Sequence, residues 1–289
     1  MAAPLLAVDA PFLLYRSFFA LPESITGIDG RPVGALLGAT NAILRVAAEH
    51  EPRAVAFCFG AEAADYRVAL YQRYHADRPP VPDALAWQFD VAPELFAAFG
   101  WSSRSVDGLE ADDVLGSLAA AETEAGNSAL ILTGDRDLYQ CAADGVTVLY
   151  SKMGTSGFEQ IDPGEVVGRY GVTPELVPDF IALRGDPSDG LPGAPGIGAK
   201  TAAALLERHG SLEQAIAGAD AERPRIAAVL RDHADQLRAF KDIATLRQVE
   251  VELPSDQATN LAGGAEAARG LGMRRLAERL ESAETLRDL

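Results

Sequence analysis

Asp107-Gly108-Leu109-Glu110-Ala111-Asp112-Asp113-Val114-Leu115-Gly116, followed one helix and one strand later by Thr133-Gly134-Asp135-Arg136-Asp137, is the part of the chain whose reading decides the fold. Glu110, Asp112, Asp113, Asp135 and Asp137 form two acidic clusters, each placed where a strand should give way to a helix. Between them Ser128-Ala129-Leu130-Ile131-Leu132-Thr133 is a short apolar run, as expected of a parallel strand buried on both faces. In an open α/β sheet the carboxyl ends of such strands border the active-site crevice. Two adjacent strand ends would then gather the five acids. Unit charges about 4 Å apart repel by about 4 kcal/mol at an effective dielectric of 20. Several such pairs call for cations, and oxygen donors without Cys or His suit Mg²⁺ or Mn²⁺ rather than zinc. Helix capping is the competing reading, since acids in a first turn favour the helix dipole. Two clusters at consecutive strand ends favour the metal.

Working outward, Leu5-Leu6-Ala7-Val8-Asp9 reads as a second buried strand ending in an acid, which joins the clusters if the strand is central. Tyr15-Arg16-Ser17 follows on a helix at the crevice mouth. Val33–His50 has helical periodicity, and Ala54-Val55-Ala56-Phe57-Cys58-Phe59 is a third apolar strand, ending in Gly60. Residues 61–82 are irregular and interleave Tyr66, Arg67, Tyr71, Arg73, Tyr74, His75 and Arg78, a pattern suited to single-stranded nucleic acid or equally to a solvated helix face. Asp83–Phe99 is helical, Val146–Tyr150 a strand, and Gly154-Thr155-Ser156-Gly157 a turn. The alternation of strand and helix predicts an α/β domain over 1–172, with a mostly parallel sheet covered on both faces. From Thr173 the pattern is all-helical, with helices near 199–208, 222–234 and 235–246 and an amphipathic helix over the last 25 residues carrying Leu271, Leu276 and Leu280. Pro192-Gly193-Ala194-Pro195-Gly196-Ile197-Gly198-Ala199-Lys200-Thr201 opens one of these helices, so that backbone amides and Lys200 can meet a phosphate.

Composition narrows the class. The chain has 289 residues, 48% of them hydrophobic, two cysteines and a formal net charge of −17. No apolar run reaches the length of a membrane span, and Met1-Ala2-Ala3-Pro4-Leu5 lacks the features of a signal peptide. Cys58 and Cys141 form no framework or metal pattern and fit a reducing cytoplasm. So acidic a chain argues against tight nonspecific DNA binding, because such binders carry a basic footprint.

With these residues in view, the chain resembles the bacterial 5′–3′ exonuclease and flap endonuclease family, which includes the nuclease domain of bacterial DNA polymerase I. The resemblance spans residues 5–250 and rests on Val8-Asp9 with Tyr15-Arg16, on 108–113, on 133–137, and on Gly185-Asp186-Pro187-Ser188-Asp189 running into the glycine hairpin. It implies a resolvase-like (PIN-like) domain followed by a helix-3-turn-helix duplex-binding domain over 173–289. It also implies two-metal hydrolysis of DNA near a 5′ end, a nick or a 5′ flap, by a monomer serving replication and repair. By position, Asp9, Glu110 and Asp112 would hold the first Mg²⁺ or Mn²⁺. Asp113, Asp135, Asp137, Asp186 and Asp189 would serve the second, and K⁺ would sit at the hairpin. Arg16, Arg67 and Arg78 would clamp phosphate, residues 66–95 would form the arch or gateway, and Tyr15, Tyr74, Arg184, Gly196, Gly198, Lys200 and Thr201 would contact DNA.

Three positions depart from the family pattern. Gly60 stands where a first-site Asp is usual, His75 where a gateway Lys is usual, and Gly190 where Asn is usual. The first two imply a slow nuclease that prefers Mn²⁺. They leave as the alternative a structure-specific DNA-binding protein of the same fold with little or no cleavage.

Overall fold

The computed structural model describes residues 3–151 and 157–289, so most of the turn expected at 154–157 lies outside the described residues. The strands are β1 (Leu5–Asp9), β2 (Ala54–Cys58), β3 (Ser102–Arg104), β4 (Ala129–Thr133), β5 (Val146–Tyr150) and β6 (Glu159–Ile161). Among the described residues they form one six-stranded sheet in the order β3-β2-β1-β4-β5-β6, parallel except for β6. The order reverses between β1 and β4, where Val8 pairs with Leu132. Asp9 and Gly134-Asp135 therefore leave the sheet side by side at its topological switch point, where an α/β sheet opens its crevice.

The helices of this half are α1 (Ala10–Ala20), α2 (Gly34–His50), α3 (Asp65–Leu70), α4 (Asp83–Ala98) and α5 (Ala111–Glu124). Strands β1, β2 and β4 are buried at every position. Their alternate residues feed two cores. Leu6, Val8, Val55, Phe57, Leu130 and Leu132 pack with α1, α2 and α4. Leu5, Ala7, Ala56, Ala129 and Ile131 pack with Val114, Leu115 and Leu118 of α5.

The strand before the first acidic cluster is not a neighbour of β4, as the sequence suggested. It is β3, a three-residue edge strand with β2 and β1 between it and β4. The first cluster reaches the crevice because α5 crosses back and packs on β1 and β4.

The second half contains α6 (Pro163–Tyr170), α7 (Val177–Arg184), α8 (Ala199–His209), α9 (Leu212–Ala217), α10 (Pro224–Asp232) and α11 (Ala234–Ala244). Its Phe180, Leu183, Leu205 and Phe240 belong to the same apolar cluster as the α5 face of the sheet. The two halves thus share a core. Residues 247–260 then run back over the first half as an extended strap. Arg247 N–H donates to Asp113, Val249 N–H to Ser117 Oγ, Arg53 Nη1 to Pro254 O, and Trp101 Nε1 to Thr259 Oγ1.

The single C-terminal helix expected from the sequence is two, α12 (Leu261–Gly270) and α13 (Arg274–Ser282). They break at Gly272, whose φ of 85° a helix cannot hold. Both pack back on the first half, as amphipathicity implied. No helix among the described residues is long and apolar enough to cross a membrane.

One buried ion pair supports the strap. Arg53 forks onto both oxygens of Glu122, at 2.6 Å each, and the Glu122 side chain is fully buried. Removing one partner of such a pair strands a charge, whereas replacing both with apolar groups is far milder. Arg53→Met should therefore lower the unfolding free energy by about 3 kcal/mol in urea titration, and Arg53→Met with Glu122→Leu should regain most of the loss. Equal instability of the single and the double variant would rule out a stranded carboxylate as the cause.

Candidate active site

Three elements aim acids into the crevice. Asp9 ends β1 and caps α1, with Phe12 N–H donating to Oδ1 at 3.0 Å and Thr133 Oγ1 donating to Oδ2 at 2.7 Å. Glu110 and Asp113 make a capping box at the start of α5. Asp135 follows β4 and accepts from Asp137 N–H at 2.8 Å. The capping reading was therefore correct for Asp9, Glu110 and Asp113, without removing the other acids from the crevice. From the second half, the tight turn around the Asp186–Leu191 backbone pair adds Asp186 and Asp189, both buried.

The acids raise one another. Burial is the largest cause at Asp9, Asp112, Asp135 and Asp137, and it lifts all four carboxyls above the usual range. At Asp112 the charges of Asp135, Asp9 and Glu110 add to burial. At Asp137 those of Asp135, Asp189, Asp186 and Asp112 do so. Asp135, facing Asp189, Asp9 and Asp186, is pushed up to about 7. Crowding of this kind places the side chains in one electrostatic neighbourhood.

The donor set fits a hard divalent cation. The crevice offers carboxylate oxygens, and the side chains of Asp112 and Asp137 accept no hydrogen bond from any described residue. Among the described residues, no three His, Cys, Asp or Glu side chains already close a cage. What fits is the chemistry of the donors alone: carboxylate oxygens, with no Cys or His among Asp9, Asp112, Asp135 and Asp137, are the ligand type that Mg²⁺ takes.

Several expected roles change once the contacts are seen. Arg67 is not a phosphate clamp. It is 2% exposed, with Nη1 2.7 Å from Glu110 and Nη2 2.8 Å from Asp113. Tyr74 is 4% exposed and donates its hydroxyl to Glu110 at 2.9 Å, so it offers no stacking surface to DNA. Glu110 also accepts from Ala64 N–H at 2.7 Å, so both its oxygens already have donors. Asp113 is buried and turned to Arg67 and the Arg247 amide, where it joins α5 to the strap rather than facing a cation. His75 does not face solvent at the gateway but bonds Asp189. Arg184 pairs with Asp186 at 3.2 Å.

Gly60 is not an emptied ligand position. A Cβ there would stand 2.4 Å from Ala111 N, 2.5 Å from Glu110 C and 2.6 Å from Leu109 O. The chain end of β2 is pressed against the backbone that starts α5, and only Gly allows the approach.

Other expected residues keep at least partial exposure. Arg78 is partly exposed, 3.2 Å from Asp189, and its charge reaches Asp9 and Tyr15. Tyr15 is half-buried beside Phe19 and Phe89. Arg16 lies near Arg45, and partial burial draws its pKa down. Gly196, Gly198 and Lys200 are exposed at the start of α8, with Thr201 half-buried, and the space around Gly198 is open. Sequence reasoning missed Arg225, an exposed cation on α10 whose guanidinium lies over Gly196. Only the packing of α10 beside the hairpin brings it there.

Two family models match the chain: the 5′–3′ exonuclease N-terminal resolvase-like domain over residues 4–171, and the 5′–3′ exonuclease C-terminal SAM fold over 172–264. A 5′–3′ exonuclease of Mycobacterium tuberculosis is 37% identical, covering 95% of this chain and 94% of that protein. The thermostable DNA polymerase I of Thermus thermophilus is 38% identical over 98% of this chain and 33% of its own length. The chain spans 25% of the mycobacterial DNA polymerase I sequences it matches at 39% identity. Among solved structures, the T5 5′-exonuclease with bound zinc superposes with a TM-score of 0.69 at 16% identity, covering 96% of each chain. The catalytic core of Rad2 with DNA substrate gives 0.63 at 12% identity, covering 96% of this chain and 91% of that one. At these identities the structural likeness establishes the fold.

Two outcomes follow from the crevice. Metal-free folded protein keeps the Asp135 proton from the usual 3.8 up to about 7, a window in which the unfolded chain has released it. The folded state then binds more protons, so stability should fall as pH rises through that window. Urea unfolding in EDTA should give a higher midpoint at about pH 5 than at about pH 8, and saturating Mg²⁺ should flatten the difference. A midpoint that climbs with pH in EDTA would contradict the raised carboxyls. At Gly60, Ala should cost about 2 kcal/mol by overpacking and Asp more, and neither should tighten Mn²⁺. Tighter Mn²⁺ binding by a well-folded Gly60→Asp would restore the lost-ligand reading.

Proposed function

Because the chain belongs to the 5′–3′ exonuclease family, we propose that it is a metal-dependent nuclease hydrolysing DNA phosphodiesters near a 5′ end or at the foot of a 5′ flap. The observation that carries this reading is the convergence of Asp9, Asp112, Asp135 and Asp137 at the β1–β4 switch point, all four lifted by burial and the last three also by their acidic neighbours. Mg²⁺ or Mn²⁺ bound there lowers the pKa of its water and stabilises charge on the attacking and leaving oxygens.

The chain's own residues divide the remaining work. Asp112, Asp135 and Asp137 hold the cations, with Asp9, Asp186 and Asp189 at the margins. Glu110 adds charge to the crevice while its hydrogen bonds fix the start of α5. Arg78, at the mouth, steadies the phosphate of the strand being cut. The open backbone at Gly198, with Lys200 and Arg225 nearby, grips the duplex phosphates, and the same hairpin is where K⁺ would bind. These cations face DNA locally, which reconciles binding with a net charge of −17.

One observation favours a second reading, a DNA-binding protein with weak cleavage. The crevice has no acid at Gly60 and no room for one. The two readings separate in a single-turnover assay of a 5′-flap duplex with Mg²⁺ and with Mn²⁺.

Asp135→Asn with Asp137→Asn keeps size but removes the charge that holds the cation. The double variant should bind the flap duplex within about threefold of the parent and lose at least about 10³ in cleavage rate. Cleavage at the parental rate would sink the metal assignment, and no cleavage by the parent with either cation would favour the second reading.

A further inference from the structure

Beyond α3 the gateway segment folds as consecutive tight turns, with Tyr74 N–H donating to Tyr71 O, Ala76 N–H to Arg73 O and Arg78 N–H to His75 O. His75 sits in the left-handed region, at φ 54°, which costs a non-glycine residue free energy unless its surroundings hold it there. They do. Its side chain is 5% exposed and stacks on Tyr74 with ring centroids 3.8 Å apart. Nδ1 lies 2.8 Å from Glu62 O and Nε2 lies 3.0 Å from Asp189 Oδ1.

The contact is made across the two halves of the chain and is reinforced there. The His75 amide donates to Asp189 O at 3.3 Å, and Arg78 Nη2 reaches the same Asp189 Oδ1 at 3.2 Å. Beside it Gly190, at φ 73°, lets the turns meet, since a Cβ there would stand 2.9 Å from Arg73 O. The His75 amide, the His75 ring and the Arg78 guanidinium, all from one short segment, therefore converge on one aspartate of the crevice. None of the work assigned to the site uses His75.

We propose that His75 is a positioning residue that clasps the gateway segment 71–78 to Asp189, and that the clasp and a divalent cation compete for that carboxylate. Metal loading then frees the gateway for the 5′ strand. The inference rests on the reading of Asp189 as part of the metal site. Competition is reciprocal: what the cation loses in breaking the clasp, the clasp loses to the cation. Removing the clasp must therefore both loosen residues 71–78 and tighten the cation.

The test combines hydrogen exchange over 71–78 with Mn²⁺ titration followed by electron paramagnetic resonance, on the full chain. In the parent, exchange should be slow in EDTA and speed up about tenfold when Mn²⁺ binds. In His75→Ala it should be fast in EDTA with little further response, and Mn²⁺ should bind about tenfold more tightly. His75→Gln, which can keep one donor, should fall between. Asp189→Asn, which keeps the side chain's size, should speed exchange in EDTA, so the clasp remains testable if the Ala variant does not fold.

Faster exchange in His75→Ala with unchanged Mn²⁺ affinity would reduce the contact to local packing and overturn the proposal. So would Mn²⁺ binding to the parent that leaves exchange at 71–78 unaltered, and in that case the metal reading would stand. Absence of Mn²⁺ binding by parent and variants alike would overturn both.

Discussion

Repulsion among carboxylates at the junction of β1 and β4 is the constraint to which the rest of the structure answers. Left to themselves, Asp9, Asp112, Asp135 and Asp137 would either push the strand ends apart or take up protons. The fold does not relieve the crowd by separating the acids. It anchors the elements that carry them with hydrogen bonds on the far side. Thr133 and the Phe12 amide fix Asp9, and Arg67, Tyr74 and the Ala64 amide fix Glu110. Arg67 and the Arg247 amide fix Asp113. Charge left over from this anchoring is what a cation can use.

The anchoring also joins parts of the chain that are distant in sequence. Arg67 lies on the helix leading into the gateway, Asp113 opens α5, and Arg247 begins the strap, yet all three meet at one buried carboxylate. With Gly60 pressed against the start of α5, the gateway base, the acidic helix and the returning C-terminal segment form one rigid block. Catalysis by such a site depends on holding ligands to within fractions of an ångström, and interlocked buried polar contacts supply that rigidity.

Much of this was legible in the sequence, for a physical reason. Parallel strands buried on both faces must be apolar throughout, so Leu5–Val8 and Ala129–Leu132 announced themselves, and acids at their ends announced the crevice. What stayed hidden depended on partners far along the chain. Arg67 and Tyr74 looked like exposed DNA contacts because an Arg or Tyr buried against a carboxylate reads locally like a solvated one. Their partners stand 46 and 36 residues away. Gly60 read as a missing acid because a glycine required by a backbone approach and one left by substitution are the same letter. The strap has no periodicity, since its backbone bonds to side chains and to scattered carbonyls rather than to a regular ladder. The break between α12 and α13 turned on Gly272, a residue that amphipathic spacing alone passes over.

The strap has a geometric consequence. The helical second half leaves the first through the stretch before α7 and is tied back to it at Asp113 and Ser117 by Arg247 and Val249, within the first turns of the acidic helix. Tethered at both ends and sharing a core with the sheet, it cannot swing as a domain on a linker would. The span from the open glycine turn before α8 to the acids is then a fixed length. If a duplex seats on that turn as proposed, its strand would reach the crevice at a constant number of nucleotides from the point where pairing ends. On that proposal the molecule would work as a gauge, measuring position along the helix by its own rigidity, with no need to read a base.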